Sequence, residues 1–257
     1  MSELIPAEHR PLPVRKVHSL RTFRWLAHGW ADFMDAPLVG LAHGAVMGLF
    51  GALLLAFAWD RFWVLAGAFS GFLLVAPILS TGLYAISRAL VRGEPANFGT
   101  VARVWGSLDR RLVQFGILLT FLGTAWVITS AALITLGVKP PVSTPSDFLH
   151  RVVLAADPGV FELWLLLGGL MAAPLFASSV VAIPLLLDRR VTMQCALRTS
   201  WRAVAANPIC LSLWAAIIMT LTVLGLGTLM FGLIVVIPVL GHATWHAYRD
   251  LVVRETS

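Results

Sequence analysis

The chain has 257 residues, of which 58% are hydrophobic and only 12% are charged, whereas an ordinary soluble domain has about 25% charged residues. A water-soluble fold of this composition would expose large apolar patches, so the composition excludes one and indicates an integral membrane protein. The formal net charge is +6. Its basic residues cluster between apolar segments, a pattern typical of membrane orientation and contact with anionic lipid and not of nucleic-acid binding.

Six apolar segments are long enough for transmembrane helices, which need about 20 residues each. Residues 1–18 precede them and are predicted to be a disordered tail. The predicted spans are residues 37–59, 62–86, 112–137 and 161–187, with two more obtained by dividing residues 208–248 near residues 225–230. We therefore predict an all-α fold, a single six-helix membrane domain over residues 19–248, and a cytoplasmic tail over residues 249–257.

The distribution of Lys and Arg predicts the orientation of these spans. Sixteen of these residues fall in the N-terminal segment, in residues 87–111 and 188–207, and in the C-terminal tail, whereas only Arg61, Lys139 and Arg151 fall on the other side. The positive-inside rule places the first group in the cytoplasm, together with both termini. Five side chains are predicted to lie at the inner membrane interface: Trp30, Trp105, Trp201, Trp245 and Arg249.

One two-span unit is repeated three times, over residues 19–87, 88–187 and 188–248. Each unit opens with a short segment that carries a tryptophan seven residues before its first span, and we predict that these segments are amphipathic helices in the cytoplasmic interface. The second span of each unit contains a glycine followed six residues later by a proline, at Gly71 and Pro77, Gly168 and Pro174, and Gly232 and Pro238. Two spans per unit make the repeat parallel, and Pro77, Pro174 and Pro238 are predicted to kink their helices.

Small residues predict a close helix contact along the first span. Gly40, Gly44 and Gly48 recur every four residues, and the second span adds Gly67 and Gly71. Such residues allow two helix backbones to approach closely in a membrane. The stripe indicates packing inside the bundle or, alternatively, a seam for a homodimer or another membrane protein.

Three histidines are the candidate cofactor ligands. His242 and His246 share a helix face, and His43 lies at a similar depth in the first span. If spans one and six touch, these imidazoles could converge and bind haem iron, copper or zinc. The alternative is hydrogen bonding to neighbouring helices or headgroups, in which case no cofactor is expected.

The chain otherwise lacks the residues of an enzyme. No Asp, Glu, Lys or Arg lies deep in a predicted span, and no phosphate loop, HExxH or Gly-x-Ser-x-Gly motif is present. We therefore expect no catalytic residues and no carrier that works through a buried carboxylate.

The C-terminal run from Gly232 to Leu251, the segment Gly71 to Arg88 and the segment Ile183 to Trp201 with its PLLLDRR sequence resemble a bacterial family of predicted integral membrane proteins, domain of unknown function 2189. The resemblance implies a multi-span protein of the bacterial inner membrane and supplies no activity.

Three functions remain open. The first is a non-enzymatic accessory or scaffold component of a membrane complex, which binds other membrane proteins or further copies of itself. The second is a permease for an apolar or weakly polar solute that uses the kinked spans as moving parts. The third is a haem- or copper-associated respiratory accessory protein.

Overall fold

The structure is a computed structural model that describes residues 10–58, 60–61, 63–68, 79–155 and 159–253. The described residues form helices joined by turns and irregular segments, with one isolated antiparallel bridge between Val14 and Val252. The helices are α1 (Arg21–Asp35), α2 (Pro37–Ala58), α3 (Thr81–Arg92), α4 (Phe98–Gly106), α5 (Arg110–Gly137), α6 (Pro145–Phe148, continued by a π turn over Leu149–Val153), α7 (Val160–Ser179), α8 (Ala182–Asp188), α9 (Met193–Ala206), α10 (Pro208–Gly227) and α11 (Leu233–Leu251); residues 63–68 are also helical.

Local sequence explains where several helices begin and end. Proline occupies the first position of α2 and α10, where its missing N–H would lack an intrahelical acceptor anyway. The side chains of Asn97 and Thr192 accept hydrogen bonds from the first turns of α4 and α9. Gly93 ends α3 in the left-handed conformation, with φ of 67°.

Four helical segments of the described chain are long and apolar enough to cross a membrane. They are Pro37–Phe57, Arg110–Gly137, Val160–Asp188 and Pro208–Gly227, and they correspond to predicted spans one, three, four and five. The all-α fold and several membrane helices are therefore confirmed, but the arrangement of six spans in three repeats is not.

The two remaining predicted spans differ from these four. Span two includes residues 62 and 69–78, which lie outside the described residues. Span six corresponds to α11, a 19-residue helix that is absent from the four candidates. Its final turn carries Arg249 and Asp250, and 12 of its side chains are buried. Hydropathy alone thus does not mark α11 as a membrane span.

The chain divides into two compact units, and the single six-helix domain over residues 19–248 stays a prediction. Unit 1 comprises Met1–Leu49, Pro77–Phe115 and Phe176–Ser257. Within it, α1 packs along α11, α3 contacts α4 and α11, and α8 contacts α9. Large side chains that are fully buried in this unit include Trp25, Trp214, Trp245 and Tyr248. Burial of aromatic rings of this size contributes strongly to the stability of a core.

Unit 2 comprises Phe50–Ala76 and Gly116–Leu175. Its core contains Ile134, Val138, Val142 and Val152, with Trp63, Phe148, Val160, Phe161 and Trp164 packed against them. The connection between α5 and α7 supplies part of this core through α6 and its π turn. The indole of Trp164 also donates a hydrogen bond of 2.6 Å to the hydroxyl of Ser130.

Residues 10–18 of the predicted tail make hydrogen bonds to the rest of unit 1, and residues 1–9 lie outside the described residues. The backbone N–H of Leu12 donates to the Thr199 hydroxyl, and that of Arg15 donates to the Leu251 carbonyl. Asn207 accepts from the Val17 N–H at 2.8 Å and donates to the Arg15 carbonyl at 2.9 Å. The segment is held because these side chains satisfy its backbone groups, a long-range pairing that composition does not reveal.

The predicted C-terminal tail is also partly ordered. Residues 249–251 complete α11, and Val252 pairs with Val14 across the isolated bridge. Residues 254–257 lie outside the described residues.

Candidate functional site

The contact between α1 and α11 depends on a very close backbone approach. A Cβ atom placed on Gly29 of α1 would lie 2.5 Å from the Val239 carbonyl oxygen and 2.6 Å from the Ala243 nitrogen. Only glycine fits such an approach without a shift of the backbone. The sequence analysis missed Gly29, because it is a lone glycine outside any repeated small-residue pattern.

Polar pairs lie along the same contact. The Nε2 atom of His246 is 2.8 Å from Oδ2 of Asp32, and both side chains are largely buried. The His246 ring also stacks on His28, with ring centroids 5.0 Å apart. The carboxylate beside His246 is thus Asp32, which comes from α1. One turn of helix farther along, Asp250 accepts a hydrogen bond from the Trp25 indole instead.

Beside this contact lies a half-open basic pocket of about 520 Å³. We call it the arginine pocket, and its lining includes Arg15, Arg21, Arg24, Trp25, Arg249 and Asp250. Arg249 was predicted to lie at the membrane interface, and the structure places it in the wall of this pocket. The other three arginines come from the N-terminal segment and from α1, which only the tertiary fold brings beside α11.

The three candidate histidines occupy different environments. The Nδ1 atom of His43 lies 2.8 Å from the Val39 carbonyl, so Nδ1 carries the proton and Nε2 is an unprotonated acceptor. Nδ1 of His242 lies 2.8 Å from the Ser87 hydroxyl, and this side chain is fully buried. His246, four residues after His242 on α11, pairs with Asp32 instead.

Two of these rings have a nitrogen that is not satisfied. Among the described residues, Nε2 of His43 and Nε2 of His242 are buried without a partner in hydrogen-bond geometry. Buried polar atoms normally have partners. An unprotonated Nε2 is also the usual donor of histidine to a metal ion.

The surroundings of His43 restrict what could bind there. A Cβ atom on Gly82 would lie 2.6 Å from Nε2 of His43, so α3 packs directly against this nitrogen. Trp105 lies next to the same ring, at a centroid distance of 5.4 Å. A haem plane does not fit against a nitrogen covered in this way. Within the described chain, no three His, Cys, Asp or Glu side chains are grouped closely enough to hold a metal ion.

The predicted glycine stripe lies on contact faces within the units. A Cβ atom added to Gly40 would meet the Phe33 ring. One added to Gly44 would lie 2.1 Å from the Ile234 carbonyl oxygen, and one added to Gly48 would lie 3.3 Å from the Met230 carbonyl oxygen. In unit 2, a Cβ atom added to Gly67 would lie 3.7 Å from the Val127 side chain. Gly71 lies outside the described residues.

Two of the three prolines predicted to kink helices lie inside helices. Pro174 and Pro238 lie inside α7 and α11, and Pro77 lies outside the described residues.

Three of the tryptophans predicted to lie at the membrane interface are partly exposed. Trp30, Trp105 and Trp201 are 50%, 44% and 49% exposed, each on the short helix that precedes a long one. Trp245 is only 2% exposed and packs against Tyr248, and its place at the membrane interface stays a prediction.

A further polar network fixes the loop between α8 and α9. The Arg111 guanidinium donates to the carbonyls of Leu186, Arg189 and Val191, and it pairs with Asp109 at 2.6 Å. The same guanidinium lowers the pKa of the Asp109 carboxyl, chiefly through its hydrogen bond. The sequence analysis counted Arg111 only as a positive charge. The Asp109 two residues before it, at the start of a long apolar helix, was the available signal for a structural pair.

These features together define a multi-helix integral membrane protein: its long helices are apolar, they expose apolar side chains, and arginines gather at one end of α11. Residues 64–188 match the model of the family described as Predicted integral membrane protein (DUF2189). The predicted resemblance to that family is thereby confirmed over this segment. No curated protein and no solved structure matches the chain.

Proposed function

We propose that this protein is a non-enzymatic accessory or scaffold component of a complex in the bacterial inner membrane. The observation that carries the proposal is the use of its acidic side chains. Asp32, Asp188 and Asp250 are bonded to His246, Tyr248 and Trp25, respectively. These carboxylates join helices of unit 1 to one another, and such an engaged group is poorly placed to move protons for a substrate.

The surface of the long helices supports placement in a bilayer. Side chains with at least 73% exposure include Leu38 and Phe57 on α2, Phe121 and Leu136 on α5, and Ile209 on α10. Apolar side chains exposed at this density favour contact with hydrocarbon, and helices satisfy their own backbone groups there.

The proposed topology has six spans in three parallel repeats, with both termini in the cytoplasm and anionic lipid at the inner face. It is supported by three short helices, α1, α4 and α9, which each carry a half-exposed tryptophan and precede a long apolar helix. The basic residues of the predicted cytoplasmic segments add electrostatic attraction to anionic headgroups.

Single cysteines labelled from outside intact spheroplasts test this topology. The two native cysteines, Cys195 and Cys210, are buried and free, so each is first replaced by alanine. Ser143→Cys and Thr228→Cys should react with an impermeant maleimide, whereas Ser107→Cys should react only after lysis. All three positions are exposed. A green fluorescent protein fused to the C-terminus should fluoresce; a dark fusion combined with a reactive Thr228→Cys would mean that α11 does not cross.

Purification at native expression in mild detergent tests the scaffold role. We expect a companion membrane protein at a constant ratio in two different detergents, identified by mass spectrometry. An untagged strain processed in parallel is the control. A solitary monomer in both detergents would contradict the proposal.

The second candidate is a metal-associated accessory protein. It is favoured by one observation, the buried and unpartnered Nε2 atoms of His43 and His242. His43→Ala and His242→Ala should each reduce copper or zinc measured in the purified protein, while His150→Ala, an exposed histidine in unit 2, should not. Metal contents that are equal in all four proteins would end this candidate, and so would an absence of metal from each of them.

A further inference from the structure

The arginine pocket contains more positive charge than its own carboxylate can balance. Four arginines, one aspartate and two histidines line it, which gives a formal charge of +3 with the histidines neutral. Asp250 is already engaged, because it accepts the Trp25 indole hydrogen bond at 2.8 Å and lies 3.8 Å from an Arg21 nitrogen. Within the described residues, the guanidinium groups of Arg15, Arg24 and Arg249 make neither an ion pair nor a hydrogen bond.

The backbone holds these guanidinium groups on one side of α11. Arg24 lies within α1, which packs along α11, and Arg249 lies in the last turn of α11. Arg15 is fixed through its backbone N–H on the Leu251 carbonyl and through its carbonyl on Asn207. Folding therefore already holds the like charges close together, at a cost in electrostatic repulsion. A site preorganised in this way favours binding of an anion.

We propose that the arginine pocket binds a phosphate group, carried either by an anionic phospholipid headgroup or by free phosphate. A guanidinium presents several N–H donors in a fixed fork that matches phosphate oxygens, and several forks around one anion give stronger binding than one. The volume of about 520 Å³ lies within the range of small-ligand sites and leaves room for a headgroup as well as the phosphate itself.

Neighbouring side chains favour the lipid as the source of this phosphate. Leu20 and Phe23, which lie next to the pocket arginines in sequence, are 61% and 54% exposed. Apolar side chains beside a cationic pocket are suited to the boundary between headgroups and acyl chains. The lipid source rests on the proposed membrane placement, whereas phosphate binding in detergent does not.

The full-length protein in detergent provides the test. Binding of phosphatidylglycerol is measured by native mass spectrometry against phosphatidylcholine, and binding of inorganic phosphate is measured by calorimetry. The pocket variant is Arg24→Gln/Arg249→Gln. The control is Arg110→Gln/Arg202→Gln, which removes the same charge from two exposed arginines outside the pocket.

We expect the pocket variant to bind at least about tenfold more weakly, because a charge-assisted hydrogen bond contributes roughly that factor, and the control to stay within about twofold. Asp250→Asn should bind more tightly, since it removes the only negative charge among the six lining residues named above. Unchanged elution in size-exclusion chromatography and an unchanged unfolding temperature show that a loss is not caused by misfolding.

The outcomes separate the sources. Selective loss with phosphatidylglycerol alone identifies a headgroup site, and selective loss with inorganic phosphate identifies a site for free phosphate. Equal losses in the pocket variant and the control would overturn the proposal, because binding would then follow net charge only. An absence of binding by the wild-type protein would also overturn it, whatever the labelling experiments show about topology.

Discussion

The indole Nε1 of Trp25 on α1 donates a hydrogen bond of 2.8 Å to Oδ2 of Asp250 in the last turn of α11, across 225 residues of sequence. Trp25 is 1% exposed, and its ring meets Trp214 edge-on at a centroid distance of 5.7 Å. One side chain thus joins the first helix to the last, and it also orients the carboxylate of the arginine pocket.

The two tryptophans of this pair should respond differently to replacement by phenylalanine. Trp25→Phe leaves Asp250 without its indole donor and should destabilise the fold by about 1–3 kcal/mol. Trp214 has no partner for its Nε1 among the described residues. Trp214→Phe removes an unsatisfied donor and should therefore be neutral or mildly stabilising apart from the lost ring volume. Thermal unfolding in detergent measures both, and a larger loss for Trp214→Phe than for Trp25→Phe would contradict the assignment.

Gly44 should tolerate no larger side chain. A Cβ atom there would lie 2.1 Å from the backbone oxygen of Ile234, so α2 must move away from α11 if the residue is alanine. We expect Gly44→Ala to cost about 2 kcal/mol or more through overpacking. Gly169→Ala is the matched control, because nothing lies within 4 Å of a Cβ at that position and alanine favours a helix over glycine by up to about 1 kcal/mol.

The unfolding temperatures of the two glycine variants provide the measurement. If Gly44→Ala left the fold intact but abolished copurification of a companion protein, the glycine stripe would serve an intermolecular contact instead.

Acid should weaken the Asp109–Arg111 pair. The guanidinium lowers the pKa of the Asp109 carboxyl in the folded protein, so the pair stabilises the fold above the carboxyl's unfolded pKa of about 4. That contribution disappears as the pH falls through the lower, folded pKa. Since the pair is partly exposed, its contribution should be about 1 kcal/mol or less.

Asp109→Asn should therefore lower the unfolding temperature at neutral pH and flatten its dependence on pH below about pH 4. Asp35→Asn serves as the control, since Asp35 is exposed and makes no ion pair within the described residues. Identical acid profiles for wild type and Asp109→Asn would show that the pair contributes nothing.

Asn207 should control how readily a protease cleaves the N-terminal segment. Its side chain bonds both the Val17 N–H and the Arg15 carbonyl and is 4% exposed. Asn207→Ala removes both bonds, so cleavage by trypsin after Arg15 or Lys16 should accelerate roughly tenfold, which corresponds to about 1.4 kcal/mol of lost local stability. Asn97→Ala removes the cap of α4 instead and should leave this cleavage rate unchanged.

Long apolar segments were predictable from sequence because the requirement is local. A helix that crosses lipid must be apolar over about 20 consecutive residues, and the four candidate spans satisfy this by composition alone. The short helices before three of the long helices were also predictable from local sequence. Around each of Trp30, Trp105 and Trp201, apolar and polar residues alternate at helical spacing.

The candidate sites were less predictable. His43, His242 and His246 were identified because ionisable groups are rare in apolar segments. The partners of His246 and His242, Asp32 and Ser87, come from helices far away in sequence. The arginine pocket was seen only as scattered positive charge. Trp245 was placed at the membrane surface by analogy with the other tryptophans, and its burial depends on the neighbours that cover it.

By itself, the sequence determined that this is a helical membrane protein and located the four candidate spans, because hydropathy and helix signals act locally along the chain. Only the tertiary structure decided that α1 packs on α11, that residues 10–18 are ordered, and that Arg15, Arg24 and Arg249 share one pocket. These features depend on side-chain shape and on hydrogen bonds between distant residues, such as Trp25 with Asp250, which no local pattern specifies.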